Sequence, residues 1–159
     1  MKIRSSALGF TLMELILVIV LLSILSLFAA SRFMGSSSFS AYTLQERVIS
    51  VIRQVQVNRM QSNVASPDNN FRLQVSSSCV GSVAACELTD SAQDARSDVV
   101  IDKSAKFSVI SGAANTINFN LLGNPVSGAV NILIEDKHGR SRCQVEINTQ
   151  GYVSKGTCS

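Results

Sequence analysis

The stretch Gly9-Phe10-Thr11-Leu12-Met13-Glu14-Leu15 opens an apolar segment that runs from Phe10 to Ala30 with one charged side chain, Glu14. A helix needs about 20 apolar residues to cross a bilayer, so this segment has the required length. An ionised carboxylate is costly at bilayer depth, and Glu14 is therefore expected to have a positively charged partner. Cleavage between Gly9 and Phe10 would create such a partner, a new amino terminus. The sequence predicts a membrane helix over residues 10–30 with one internal carboxylate.

The same segment also has features of a secretory signal peptide. Lys2 and Arg4 supply a basic start, and Ala29-Ala30-Ser31 would suit signal peptidase. Against this alternative, Glu14 lies inside the apolar run, and the run exceeds the usual length of about 7–15 residues. In the spanning alternative the basic start stays in the cytoplasm, which leaves the rest of the chain on the outer side of the membrane.

Composition argues against several classes of function. The 159 residues include 14 basic and 11 acidic side chains, a balance that does not favour a nucleic-acid platform. With one histidine and no C-x-x-C spacing, neither a zinc site nor any other metal or cofactor site is predicted. The chain also lacks a G-x-S-x-G motif and a phosphate-binding glycine loop, so we predict that it is not an enzyme.

The four cysteines suggest structural disulfides. An even number of cysteines on the exported side of a membrane is typical of oxidised pairs, although four cysteines allow three pairings. Proximity in the sequence favours Cys79 with Cys86 and Cys143 with Cys158.

Residues 41–63 contain neither glycine nor proline and have apolar positions at helical spacing. We therefore expect a long helix from Phe10 to about Asn63, either continuous or interrupted at residues 35–40, where glycine and serines have poor helix propensity. The second half of this helix packs an apolar stripe on a sheet. That stripe consists of Leu44, Val48, Val51, Ile52 and Val55.

Beyond the turn-rich segment 66–70 the periodicity changes to two, as in half-buried strands. The predicted fold is α+β: a long N-terminal helix, membrane half plus amphipathic half, packed on an antiparallel, sandwich-like β domain. A hairpin turn is predicted at residues 136–139. The predicted strands are 71–75, 106–110, 116–121, 130–134, 142–147 and 152–155.

The amino-terminal motif, its position behind a short basic leader and the apolar helix after it resemble the processing site of type IV pilins and pseudopilins. Downstream, the Phe-x-x-x-Gly-x-Pro pattern of residues 119–125 resembles H-type minor pseudopilins and related minor pilins. With the carboxy-terminal cysteine pair, the chain is most similar to minor pilins of mannose-sensitive haemagglutinin pili. The resemblance implies a leader at 1–9, an N-terminal helix at 10–63 and a globular domain at 64–159. Ser31 departs from the pattern, because pilins often carry proline there.

The resemblance implies a structural role in a filament and no catalysis. A prepilin peptidase would cut after Gly9 and methylate the amine of Phe10, and Glu14 would pair with the amine of an adjacent subunit. Other pilin subunits would bind through residues 10–63. Before assembly the chain would span the inner membrane once, with its C-terminal domain in the periplasm, and afterwards it would lie in an extracellular pilus.

Two alternatives stay open within this resemblance. The chain could be a minor pseudopilin of a type II secretion system. It could also be a minor pilin that binds DNA or a surface, with exposed cations that meet phosphates: Lys137, Arg140, Arg142 and Lys155.

Overall fold

The computed structural model describes residues 10–33, 40–112 and 114–159, leaving aside the side chains of residues 27–33, 40 and 90. The described chain forms two compact units, residues 10–33 and residues 40–159. The first unit contains helix α1, Leu12–Phe33. The second begins with helix α2, Ser40–Gln61, and contains every strand of the described chain.

The prediction of a long N-terminal helix with a membrane half is wrong. The described residues form two helices of 22 residues each, Leu12–Phe33 and Ser40–Gln61, and the part of the predicted helix between them lies outside the described residues. No helix of the described chain combines the length and the apolarity needed to cross a membrane. This finding also contradicts the predicted location as a single-pass inner-membrane protein.

The second unit is α+β, with two four-stranded antiparallel sheets. The first sheet has the order β3-β2-β1-β5, with β1 at Arg72–Val75, β2 at Cys79–Ser82, β3 at Val99–Ile101 and β5 at Thr116–Asn118. The second has the order β4-β6-β7-β8, with β4 at Ala105–Ser111, β6 at Val130–Asp136, β7 at Arg142–Ile147 and β8 at Val153–Cys158. Two short helices, α3 at Val83–Cys86 and α4 at Asp90–Asp94, follow β2.

Helix α2 contributes its apolar stripe to a core that it shares with both sheets. All five residues predicted for that stripe are at most 5% exposed. Strand β6 shows why the second sheet forms: Val130, Ile132 and Ile134 point inward at every second position and are fully buried. One cluster of buried side chains thus joins α2 to both sheets.

The strands differ from the sequence prediction where polar side chains intervene or the alternation is lost. Strand β5 ends at Asn118 because the Asn120 carboxamide accepts hydrogen bonds from the amides of Leu122 and Asn124, which starts a turn. Strand β2 was not predicted because all four of its residues are buried, so it has no polar alternation. Strand β3 has only three residues and gives too short a pattern to detect.

Candidate functional site

The start of α1 brings two of the predicted site residues into a defined local structure. The Thr11 hydroxyl accepts a hydrogen bond from the backbone amide of Glu14 at 3.3 Å, which satisfies an amide that the first turn would leave without a partner. Thr11-Leu12-Met13-Glu14 has the spacing of a capping box, and a carboxylate in the first turn is favourable beside the helix dipole. Within the described chain, the Glu14 carboxylate itself makes no hydrogen bond and no ion pair.

The surface of α1 is apolar on every side along residues 15–22. Large aliphatic side chains at consecutive positions 15–22 are between 42% and 59% exposed, so they surround the helix axis at 3.6 residues per turn. Ser23 and Ser26 donate their hydroxyls to the carbonyl oxygens of Ile19 and Leu22, both at 2.7 Å. These bonds leave the serine hydroxyls satisfied without water. A helix that is apolar all round is normally buried, and α1 therefore offers a surface for association.

The predicted processing site is only partly within the described chain. Gly9 and the leader 1–9 lie outside the described residues. Phe10 is described and is 76% exposed.

Both disulfides favoured by sequence proximity are present in the second unit. Cys79 and Cys86 join β2 to the end of α3, with a Cα–Cα distance of 6.0 Å. Cys143 and Cys158 join β7 to the last residue of β8, and Cys143 is fully buried. The disulfides fix neighbouring elements of the globular unit, and no free thiol remains in the described chain.

Helix α2 carries a set of buried polar side chains that was not predicted from the sequence. The Gln45 amide donates to the Gln144 carbonyl at 2.7 Å, and the Gln56 amide donates to the carbonyls of Gly123 and Gly151, both at 2.8 Å. Positions 45, 56 and 59 lie on the same face of the helix as the apolar stripe, but they are occupied by Gln, Gln and Arg. Polar residues on an otherwise apolar face were the signal in the sequence that could have revealed them. These hydrogen bonds join α2 to strand β7 and to the turns at Gly123 and Gly151.

The four cations named for phosphate binding do not form one free cluster. Arg142 pairs with Glu135 at 2.8 Å, and Lys155 pairs with Glu46 on α2. Lys137 and Arg140 are exposed in the hairpin turn between β6 and β7. His138 is also exposed in that turn. Two of the four charges are thus compensated within the chain, which leaves a smaller basic surface than the sequence suggested.

One ion pair in the globular unit shifts pKa values. Burial alone would raise the pKa of the Asp98 carboxyl, but hydrogen bonds from Arg96 and Ser82 together with the charge of Arg96 outweigh burial and lower that pKa below its usual value. The Arg96–Asp98 pair is bidentate, with distances of 2.7 and 2.8 Å. The same hydrogen bond and charge raise the pKa of Arg96, despite an opposing contribution from burial. Through these hydrogen bonds the pair links the residue before β3 to the last residue of β2, and its role is structural.

Among the described residues, the exposed apolar surface of α1 with its single carboxylate, Glu14, is the feature best suited to association with other chains. Comparison with protein-family models, with curated proteins and with solved structures finds no match to this chain.

Proposed function

We propose that this chain is a structural subunit of a type IV pilin-like filament, a minor pilin of the H-type pseudopilin group most similar to those of mannose-sensitive haemagglutinin pili. The observation that carries the proposal is α1, whose apolar side chains are exposed on all sides in the single chain. The Gly9–Leu15 motif, with its cleavage point between Gly9 and Phe10, adds support from the sequence. The role is assembly, and it requires no catalytic residue.

Association through α1 has a large driving force. Full burial of one leucine or isoleucine side chain contributes about 1.5–3 kcal/mol. Residues 15–22 alone present eight aliphatic side chains, each at least 42% exposed. Copies of α1 and of related subunits packed side by side would bury these surfaces, whereas an isolated chain leaves them in contact with solvent. The gain is spread around the whole helix, which suits a helical bundle with neighbours on several sides.

Glu14 supplies specificity in this arrangement. A carboxylate taken into a packed bundle is costly unless a cation compensates it, and breaking a buried pair costs about 3–5 kcal/mol. The amino terminus at Phe10, freed by a prepilin peptidase and methylated, is the proposed partner from a neighbouring subunit. Since a pair forms only when two subunits align, Glu14 would fix the register of the packed helices.

Incorporation of variants into filaments tests the proposal. Filaments are sheared from cells that produce the chain with its assembly partners, and the chain is quantified in the filament and cell fractions. We expect Glu14→Gln to lower the filament fraction at least tenfold, because an unpaired buried partner costs more than the 1.4 kcal/mol that corresponds to a factor of ten.

Glu146→Gln is the matched control, since it makes the same chemical change at an exposed position of β7 in the other unit. This control is expected to incorporate like the unaltered chain. Absence of the unaltered chain from filaments, or equal incorporation of both variants, would refute the proposal.

A further inference from the structure

A cavity of about 440 Å³ lies in the globular unit, where the C-terminal turn of α2 and the loop after it meet the end of β5. Two arginines, Arg59 and Arg72, line it, and its lining contains no acidic residue. The remaining lining residues are Ala65, Ser66, Pro67, Asn118, Phe119, Asn120 and Val126.

Arg59 is a buried cation that no carboxylate compensates within the described chain. It is 4% exposed, and four hydrogen bonds hold its guanidinium in place. Nε donates to the Phe119 carbonyl at 3.0 Å, and the Nη atoms donate to the Ser62 hydroxyl and to the carbonyls of Val64 and Ala65. A guanidinium has five N–H donors, so one Nη2 donor has no acceptor among the described residues. The four hydrogen bonds fix the position of the Arg59 charge, and one N–H group of Nη2 can still donate a hydrogen bond to a ligand.

Arg72 adds a second, less satisfied guanidinium to the same cavity. Its Nε donates to the Asn118 side chain at 2.9 Å, and its Nη atoms make no hydrogen bond within the described chain. This bond to β5 orients the guanidinium while its outer fork stays available. An arginine fork matches the two oxygens of a carboxylate in a bidentate pair.

Part of the cavity lining forms an apolar wall. Pro67 and Val126 belong to it, and Val126 is 70% exposed. Two cations together with an apolar wall suit an anion that carries a short hydrocarbon body. Inorganic phosphate has no such body and would use only the cationic side.

The geometry points to this cavity as a binding site for an organic carboxylate, held by Arg72 and by the free donor of Arg59, with its apolar body against Val126. The carboxylate can belong to a free acid or to the C-terminus of a peptide, since both present the same group. An anion there would also supply the negative charge that the residues lining the cavity lack.

Titration of the full chain, kept in solution by a nonionic detergent and followed by NMR, tests this site. The probes are butyrate, inorganic phosphate, and the peptide acetyl-Ala-Ala-Val with either a free or an amidated C-terminus. We expect saturable shifts at Arg72 and Val126 with butyrate. Binding of the free-acid peptide but not of its amide would extend the ligand class to peptide C-termini, and binding of butyrate alone would limit it to free acids.

Two variants and one control separate the site from general charge effects. Arg72→Gln removes the available fork and is expected to weaken butyrate binding roughly tenfold or more, as for the loss of a charge-assisted hydrogen bond. Val126→Glu places a tethered carboxylate at the exposed wall and is expected to compete with butyrate. Arg140→Gln removes the same charge from the exposed hairpin turn and should leave binding unchanged.

Three results would overturn the assignment. The first is an absence of saturable butyrate binding, and the second is equal binding by the Arg72→Gln and Arg140→Gln variants. The third is binding of phosphate without butyrate, because it would show that the apolar wall takes no part.

Discussion

Replacement of two valines on α2 tests whether this helix is fixed by the burial of its apolar stripe in the core that it shares with both sheets. Val55 is fully buried in the shared core, and Val57, two positions along, is 46% exposed. Val→Ala removes the equivalent of two methylene groups, worth about 1.6 kcal/mol when fully buried. A residual cavity of roughly 40 Å³ at Val55 adds about 1 kcal/mol, at about 24 cal/mol per Å³. We therefore expect Val55→Ala to lower the free energy of unfolding by about 2.5 kcal/mol.

Val57→Ala is the matched control for this prediction. Half of its surface is already in water, so about 0.8 kcal/mol is lost, and little cavity forms. Helix propensity improves equally in both variants, and this contribution cancels in the comparison. The difference of about 1.7 kcal/mol corresponds to roughly 5–8 °C in the midpoint of thermal unfolding, measured on the full chain by far-ultraviolet circular dichroism. Equal midpoints for the two variants would refute the packing of α2 described above.

Three further perturbations examine the globular unit. The pKa of Asp98 is lowered in the folded chain, so its contribution to stability is complete above its unfolded pKa of about 3.9 and is lost as the pH falls through the folded value. Arg96→Gln should therefore make the free energy of unfolding fall less steeply at acid pH, as measured by urea unfolding curves over a pH series. Gly151→Ala should destabilise the chain far more than Gly128→Ala in thermal melts. Both glycines have a positive φ, but an added Cβ at Gly151 would lie 2.3 Å from the Gly123 carbonyl oxygen, and at Gly128 it would meet nothing within 4 Å. Reduction of the disulfides, which close loops with sequence separations of 7 and 15, should cost about 2–3 kcal/mol each, and an unchanged unfolding midpoint under reductant would contradict this.

The periodic parts of the fold could be predicted from the sequence because their burial follows a simple repeat. The stripe of α2 and the alternation of β6 and β7 each place apolar side chains at a regular spacing, and β7 has the predicted bounds 142–147. The hairpin turn at 136–139 is also present, with the Gly139 amide bonded to the Asp136 carbonyl at 2.7 Å.

The parts that could not be predicted depend on tertiary contacts. A buried strand such as β2 has no alternation, and Gln56 reveals its role only when the distant carbonyls of Gly123 and Gly151 meet it. The cavity between Arg59 and Arg72 likewise joins residues far apart in the sequence to the end of β5. The apolar run of residues 10–30 suggested a helix with a membrane half, but an apolar composition does not by itself make a helix able to cross a membrane.

The mass and the amino-terminal sequence of the mature protein, isolated from the cells that make it, test the filament proposal most directly. The proposal predicts a chain that begins at Phe10 with an N-methylated amine and retains Glu14 four residues further on. A mature chain that begins near Ser31 would show that the apolar segment had been removed as a signal peptide, and the proposed filament subunit would be refuted.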